Sequence, residues 1–227
     1  MSKRNVVIVA AHPDDEVLLA GGAMARHVDA GDTGSILILA TGATSRGGDQ
    51  IQYMKDLQTH ALAAARELGV GSVEFAGFPD NKMDTVPLLE VIQRVEIFLT
   101  KHLADVIYTH HVGDLNIDHR IVHQAVLTAC RPTPDARRVE IFAGETNSAT
   151  EWASPSLPPF VPTDFLDISG VIDRKVRAMA CYTGELRQWP HPRSDEGVRA
   201  LGRWRGTQSG FDAAEAFVGV RRVRTNP

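Results

Sequence analysis

At 227 residues, with 43% hydrophobic and 23% charged side chains, the chain has the composition of an ordinary folded protein and the length for one sizeable domain. No apolar run approaches the ~20 residues of a membrane span, and the basic start Lys3-Arg4 leads into a short strand-like run and then acids, which is unlike a signal peptide. A formal net charge of −4 argues against a general binder of nucleic-acid backbones, and a cytoplasmic location is expected.

In chain order, the β-branched run Val6-Val7-Ile8-Val9 predicts a buried strand. Val17, Leu18, Leu19 and Met24 predict a helix reaching about residue 30 and closed by Gly31. Between them lies Ala10-Ala11-His12-Pro13-Asp14-Asp15-Glu16. Pro13 fixes φ and donates no amide hydrogen, so His12 is biased extended while the acids enter the first helical turn. Acids there often only complement the helix dipole. An imidazole crowded with three carboxylates also has the makings of a cation site.

Residues 35–40 predict a second strand, and strand, helix, strand is the parallel crossover unit. The glycine-rich loop 41–48 follows on the same sheet edge as His12; it has neither GxGxxG nor Walker spacing. A helix is predicted from about 50 to 68, with Leu57, Ala61, Ala64, Ala65 and Leu68 on one face and Gly69 as its stop. A short strand over 72–76 leads to Gly77-Phe78-Pro79-Asp80-Asn81, then a helix over 87–102 and a fourth strand over 104–109.

That strand runs into a second dense stretch, His110-His111-Val112-Gly113-Asp114-Leu115-Asn116-Ile117-Asp118-His119-Arg120, which opens a further helix. In a parallel sheet both turns fall on one rim, where ligands bind. His123, one turn after His119, is expected to pack. The fold class predicted is α/β: a Rossmann-like, mainly parallel sheet with helices on both faces, in three α/β/α layers.

Beyond Cys130 the texture changes, with six of the twelve prolines between Pro132 and Pro162 around a strand-like run at 139–143. The segment reads as a long cover or lid. An edge strand at 165–168, helices at 172–181 and 195–205, and a last strand near 218–220, approached through 213–217, complete the chain. One domain over 1–227 is expected, with 1–130 as the core and 131–227 as cover and C-terminal elements. Trp152, Trp189 and Trp204 read as packing anchors for the cover, with sugar-stacking platforms as the other reading. Cys130 and Cys181 lack CxxC spacing and read as buried thiols.

Two imidazoles and one carboxylate match the ligand set of catalytic zinc, which keeps a position open for water. His12, Asp15 and His119 are the candidate ligands for Zn2+. A carboxylate committed to a metal is a poor proton acceptor, so Asp14 is the candidate base, and Asp118 is placed to orient His119.

The Ala11-His12-Pro13-Asp14-Asp15-Glu16 motif, followed about a hundred residues later by Asn116-Ile117-Asp118-His119, resembles the LmbE-like, or PIG-L, deacetylase family. The resemblance covers most of the chain, including Phe78-Pro79-Asp80 and Ala214-Glu215-Ala216-Phe217. It implies a zinc-dependent enzyme removing N-acetyl groups from amino sugars, with His12, Asp15 and His119 as ligands, Asp14 as base and Asp80 on the sugar. The family's second motif often carries a histidine where Asn116 stands, and an amide supplies no proton at neutral pH. Asn116 is then left to contact substrate, and His110 or His111 is the candidate proton donor, His111 preferred, with Asp114 as its partner. Arg46 or Lys55 is available for a phosphate. The form 113–120 is similar to members associated with bacterial surface sugars, which implies a nucleotide-linked or otherwise activated N-acylated small-molecule sugar as substrate.

The alternatives are a non-catalytic metal- or nucleotide-sugar-binding module and a deacylase for O-acetyl or other amide substrates. No nucleic-acid or membrane partner is expected, and a homo-oligomer is left open. Hard cations prefer carboxylates without imidazole, which favours the zinc reading.

Overall fold

The β-branched run forms the strand β1 (Asn5–Ala10), fully buried from Val6 onward. The computed structural model describes residues 3–42 and 50–223. After β1 the chain forms α1 (Asp15–Asp29), β2 (Thr33–Ala40), α2 (Gln50–Leu68), β3 (Ser72–Phe78), α3 (Leu88–His102), β4 (Val106–His110) and α4 (Ile117–Ala129). The second half adds β5 (Glu140–Gly144), β6 (Asp164–Asp167), α5 (Ile172–Ala180), α6 (Asp195–Thr207) and β7 (Ala214–Arg221).

The strands pair in the order β3-β2-β1-β4-β5-β7-β6. The first five are parallel and β7 runs antiparallel to both β5 and β6, so the sheet is mainly parallel. Strand alternation splits the core into two layers. Val6 and Ile8 pack with α1, α2 and α5, while Val7 and Val9 pack with α3 and α4. The three-layer expectation holds. Strand order reverses between β1 and β4, and the crevice at such a reversal lies outside the strands' carboxyl ends. Both chemically dense stretches begin there.

Several local features differ from expectation. The last strand already begins at Ala214, because 214–217 pair with β6 and β5. A 3-10 turn at Met83–Thr85 follows Asp80, too short for a periodic signal. The three tryptophans do not anchor the cover: Trp152, Trp189 and Trp204 are 51%, 59% and 59% exposed. Cys130 is buried, Cys181 is half-buried, and both thiols are free.

Helix α1 also breaks at Ala20 (φ −154°, ψ 22°) inside the core. A break frees backbone groups that must find partners when buried. Glu215 of β7 accepts the Gly22 and Ala23 amides at 2.8 and 2.6 Å. Lys175 of α5 donates to the Leu18 carbonyl at 2.8 Å and to Glu215 at 2.6 Å. Gly22 leaves the room for this, since a Cβ there would lie 2.8 Å from Ile168. No helix among the described residues is long and apolar enough to cross a membrane.

Candidate active site

The turn after β1 and the turn after β4 bring three ligand-type atoms together. His12 Nδ1 lies 3.0 Å from Asp15 Oδ2 and 3.3 Å from His119 Nε2, and His119 Nε2 lies 3.1 Å from Asp15 Oδ2. A tetrahedral ion with ligand bonds of about 2.0–2.1 Å separates its ligand atoms by about 3.3 Å. The donor set and spacing fit a zinc-type ion. So does Asp15 Oδ1, which is buried without a hydrogen-bond partner among the described residues.

Each imidazole turns its other nitrogen to a carboxylate, the usual support for a ligating histidine. His12 Nε2 lies 3.0 Å from Asp118 Oδ2 and 3.3 Å from Asp80 Oδ1. His119 Nδ1 lies 3.0 Å from Asp114 Oδ1. The expected partners are thus exchanged for others: Asp118, expected at His119, supports His12, and Asp114, expected at His111, supports His119. The exchange follows from the α4 N-terminus, where Asn116 caps the Asp118 amide and Asp118 accepts the Asn81 and Met83 amides at 2.7 and 3.0 Å. His110 backs the His119 ring at 3.9 Å between centroids. Its Nε2 accepts the Ala11 amide, so its proton sits on Nδ1, toward Thr146.

Burial sets the electrostatics. It lowers His110, with the neighbouring His119 charge, to about 3, so this ring is neutral. For His12 burial works downward too, but Asp118, Asp15 and Asp80 outweigh it and push the ring up to about 10. His119 rises to about 9 for the same reason, held by Asp15 and Asp114 against burial. Burial would raise Asp15; His119, His12 and His110 overcome it and hold the carboxyl well below its usual range. Asp14 goes the other way, pushed up by burial against the pull of Arg193.

Beside the triad opens a cleft of about 160 Å³ whose lining includes His12, Asp14, Asp80, Asn116, Glu185 and Arg193. Asp14 has φ 103°, unfavourable for a residue with a Cβ. Its amide donates to Glu16 Oε2 at 3.0 Å and its Oδ2 accepts from Arg193 Nη1 at 2.7 Å. Burial, opposed by the Tyr182 hydroxyl, lifts Glu16 to about 7.

The structure brings His12, Asp14, Asp15, Asp80, Asn116, Asp118 and His119 to this corner. His111 is turned elsewhere: its Nε2 meets the Pro158 carbonyl oxygen at 3.1 Å and it is not part of the cleft lining. A Cβ on Gly113 would run into that same carbonyl, so glycine is what lets the cover press on this turn. Asp114 does not pair with His111 either. It accepts the Asn116 amide at 2.9 Å and the Thr150 hydroxyl at 2.8 Å. Arg46 lies outside the described residues, and Lys55 is exposed on α2. His123 packs, with Nδ1 2.8 Å from the His110 carbonyl oxygen.

Sequence reasoning missed Arg193, Glu185 and Asn81. The sole local cue to Arg193 is the turn-forming run Pro190-His191-Pro192 before Ser194, which caps α6. It says where the chain bends, not what it meets.

Comparison with known proteins gives three findings. A family profile described as PIG-L, GlcNAc-PI de-N-acetylase, matches residues 7–130. The 4-oxalmesaconate hydratase of Pseudomonas putida is 29% identical over 205 residues, 83% of this chain and 77% of that protein. Among solved structures, a conserved protein of Thermus thermophilus has a TM-score of 0.78 at 27% identity, covering 99% of this chain and 98% of that one. The N,N'-diacetylchitobiose deacetylase of Pyrococcus horikoshii has 0.75 at 17%, covering 93% and 82%, a likeness of fold.

Proposed function

The chain belongs to the PIG-L family, and on that premise we propose that it is a metal-dependent hydrolase that removes an N-acetyl group from an amino sugar, with Asp14 as general base. The observation that carries the reading is the convergence of His12 Nδ1, Asp15 Oδ2 and His119 Nε2 within 3.0 to 3.3 Å of one another, with Asp14 lining the adjoining cleft. A Zn2+ ion held by these three residues would acidify a water and polarise the amide carbonyl oxygen.

The chain's own groups do the rest. Asp14, raised by burial, takes a proton from the attacking water and hands it to the sugar nitrogen as the C–N bond breaks. Atoms balance: water supplies one of the two oxygens of acetate, the amide carbonyl the other, and the hydrogen that the amine gains comes from that water by way of Asp14. Asp118 and Asp114 hold the two imidazoles in place. Asp80, Asn81, Asn116 and Glu185 line the cleft with groups that hydrogen-bond sugar hydroxyls. No separate donor from His111 is invoked, since that ring faces the cover.

One observation favours a second reading, hydration of a carbon–carbon double bond in an unsaturated acid. The Pseudomonas relative carries a hydratase name. Hydration expels no amine, so it needs no proton donor to a leaving nitrogen, and Asn116 would be no loss. The test is to load purified protein with Zn2+ and assay acetate release from free and nucleotide-linked N-acetyl sugars, alongside loss of conjugated absorbance from unsaturated dicarboxylic keto acids. Acetate release supports deacetylation; absorbance loss without acetate replaces it with hydration.

A further inference from the structure

Besides the two ligand turns and the Asp80-Asn81 turn after β3, the segment 181–194 between α5 and α6 reaches the cleft, through Glu185 and Arg193. It grips the first turn at two points. Tyr182, fully buried, donates its hydroxyl to Glu16 Oε1 at 2.5 Å, and Glu16 Oε2 accepts the Asp14 amide at 3.0 Å. Eleven residues further on, Arg193 donates from Nη1 to Asp14 Oδ2 at 2.7 Å. The same guanidinium donates from Nε to Ser148 Oγ of the cover at 2.7 Å and lies 3.6 Å from Glu185 Oε2. No hydrogen bond engages Asp14 Oδ1 among the described residues.

We propose that Arg193 is a positioning residue for the base: by tying Asp14 Oδ2 to the 181–194 segment and the cover, it fixes the carboxylate so that Oδ1 is the oxygen that accepts the proton. The inference rests on the reading of Asp14 as base. A plain surface ion pair does not describe the contact, because Asp14 is 2% exposed and Arg193 only 22%. A lysine does not reproduce it, because the fork reaches Asp14 and Ser148 at once in one plane. The conformation of Asp14 adds a need for it. With φ at 103°, the residue is held at its amide by Glu16, which Tyr182 grips in turn, and at its carboxylate by Arg193 directly, so 181–194 acts on it once through Glu16 and once by contact. The segment that completes the site thus comes from the far end of the chain.

The test compares Arg193→Ala and Arg193→Lys with the parent, all Zn2+-loaded, by metal content, kcat and KM for acetate release, and hydrogen exchange of residues 12–18. The expected result is full metal, unchanged KM, kcat lower by about 10–100-fold, faster exchange in the turn, and partial recovery of Arg193→Ala by millimolar guanidinium. Arg193→Lys should stay impaired. Parental kcat with unchanged exchange would overturn the inference, as would a loss confined to KM, which would make Arg193 a substrate anchor. If the parent releases no acetate from any sugar, the deacetylase reading fails on its own, and the exchange arm still decides whether Arg193 holds the turn.

Discussion

Asp14 and Asp15 are neighbours, both buried, and their surroundings push their proton affinities apart. Burial lifts Asp14, whereas His119, His12 and His110 outweigh burial at Asp15 and hold it ionised. Under the proposed mechanism such a split suits Asp14 to proton transfer and Asp15 to a cation. Asp14→Asn should therefore keep bound zinc and lose about 10²–10⁴-fold in turnover, while Asp15→Asn should lose the metal. Metal analysis with single-turnover assays separates the two, and near-parental turnover by Asp14→Asn would remove it as the base. Glu74 shows a shift with a structural consequence. Burial would raise it, but His102, Lys101 and Arg94 pull it down to about 2. A carboxyl lower in the folded state than in the unfolded chain stabilises at pH above its unfolded value, and that gain is lost as pH falls through the folded one. Glu74→Gln should lower stability at neutral pH by about 1 kcal/mol after discounting for solvent, or about 2–4 °C in Tm. The gap should narrow below pH 4.5 and close near pH 2.

Elements were legible where periodicity was strong and local. The strand run at Val6 and the faces of α2 and α3 each carry a signal within a few residues. The meeting of His12, Asp15 and His119 was legible because both motifs sit at the ends of parallel strands. What periodicity missed depends on partners far along the chain. Asp118 meets His12, 106 residues away, and Arg193 meets Asp14, 179 away. The break in α1 is of this kind, since it is held by Lys175 and Glu215, 157 and 193 residues from their backbone partners. Both side chains of that pair are 6% exposed. Removing one partner strands a buried charge, so Lys175→Met should cost about 3–5 kcal/mol and roughly 6–20 °C in Tm. Adding Glu215→Gln should recover part of the loss, because an amide oxygen still accepts a backbone amide and no charge is left over. Thermal melts of the single and double variants check this; a double variant no better than the single would mean that lost packing, not the stranded charge, is the cost.

At the scale of the whole molecule, the candidate metal centre joins two turns that no backbone hydrogen bond ties to each other at the ligands. His12 and Asp15 belong to the turn after β1, and His119 to the first turn of α4. Asp15 lies between the two imidazoles, at 3.0 and 3.1 Å from their nitrogens. A ligand that binds only the folded chain stabilises it by mass action, about 4 kcal/mol at a thousandfold excess over Kd. For a chain of this length each kcal/mol is worth roughly 2–4 °C. Zinc at that excess should therefore raise Tm by about 8–16 °C, and chelation should reverse the gain together with any turnover. His119→Ala removes the ligand from the second turn. It should bind zinc weakly and show almost none of the gain, while Asp14→Asn, which keeps all three ligands, should show it in full. If zinc raised the Tm of His119→Ala as much as that of the parent, the two turns would not share an ion. The catalytic reading of this rim would then have to be rebuilt around His12, Asp80 and Asp118, whose ligand atoms also lie within 4.8 Å of one another.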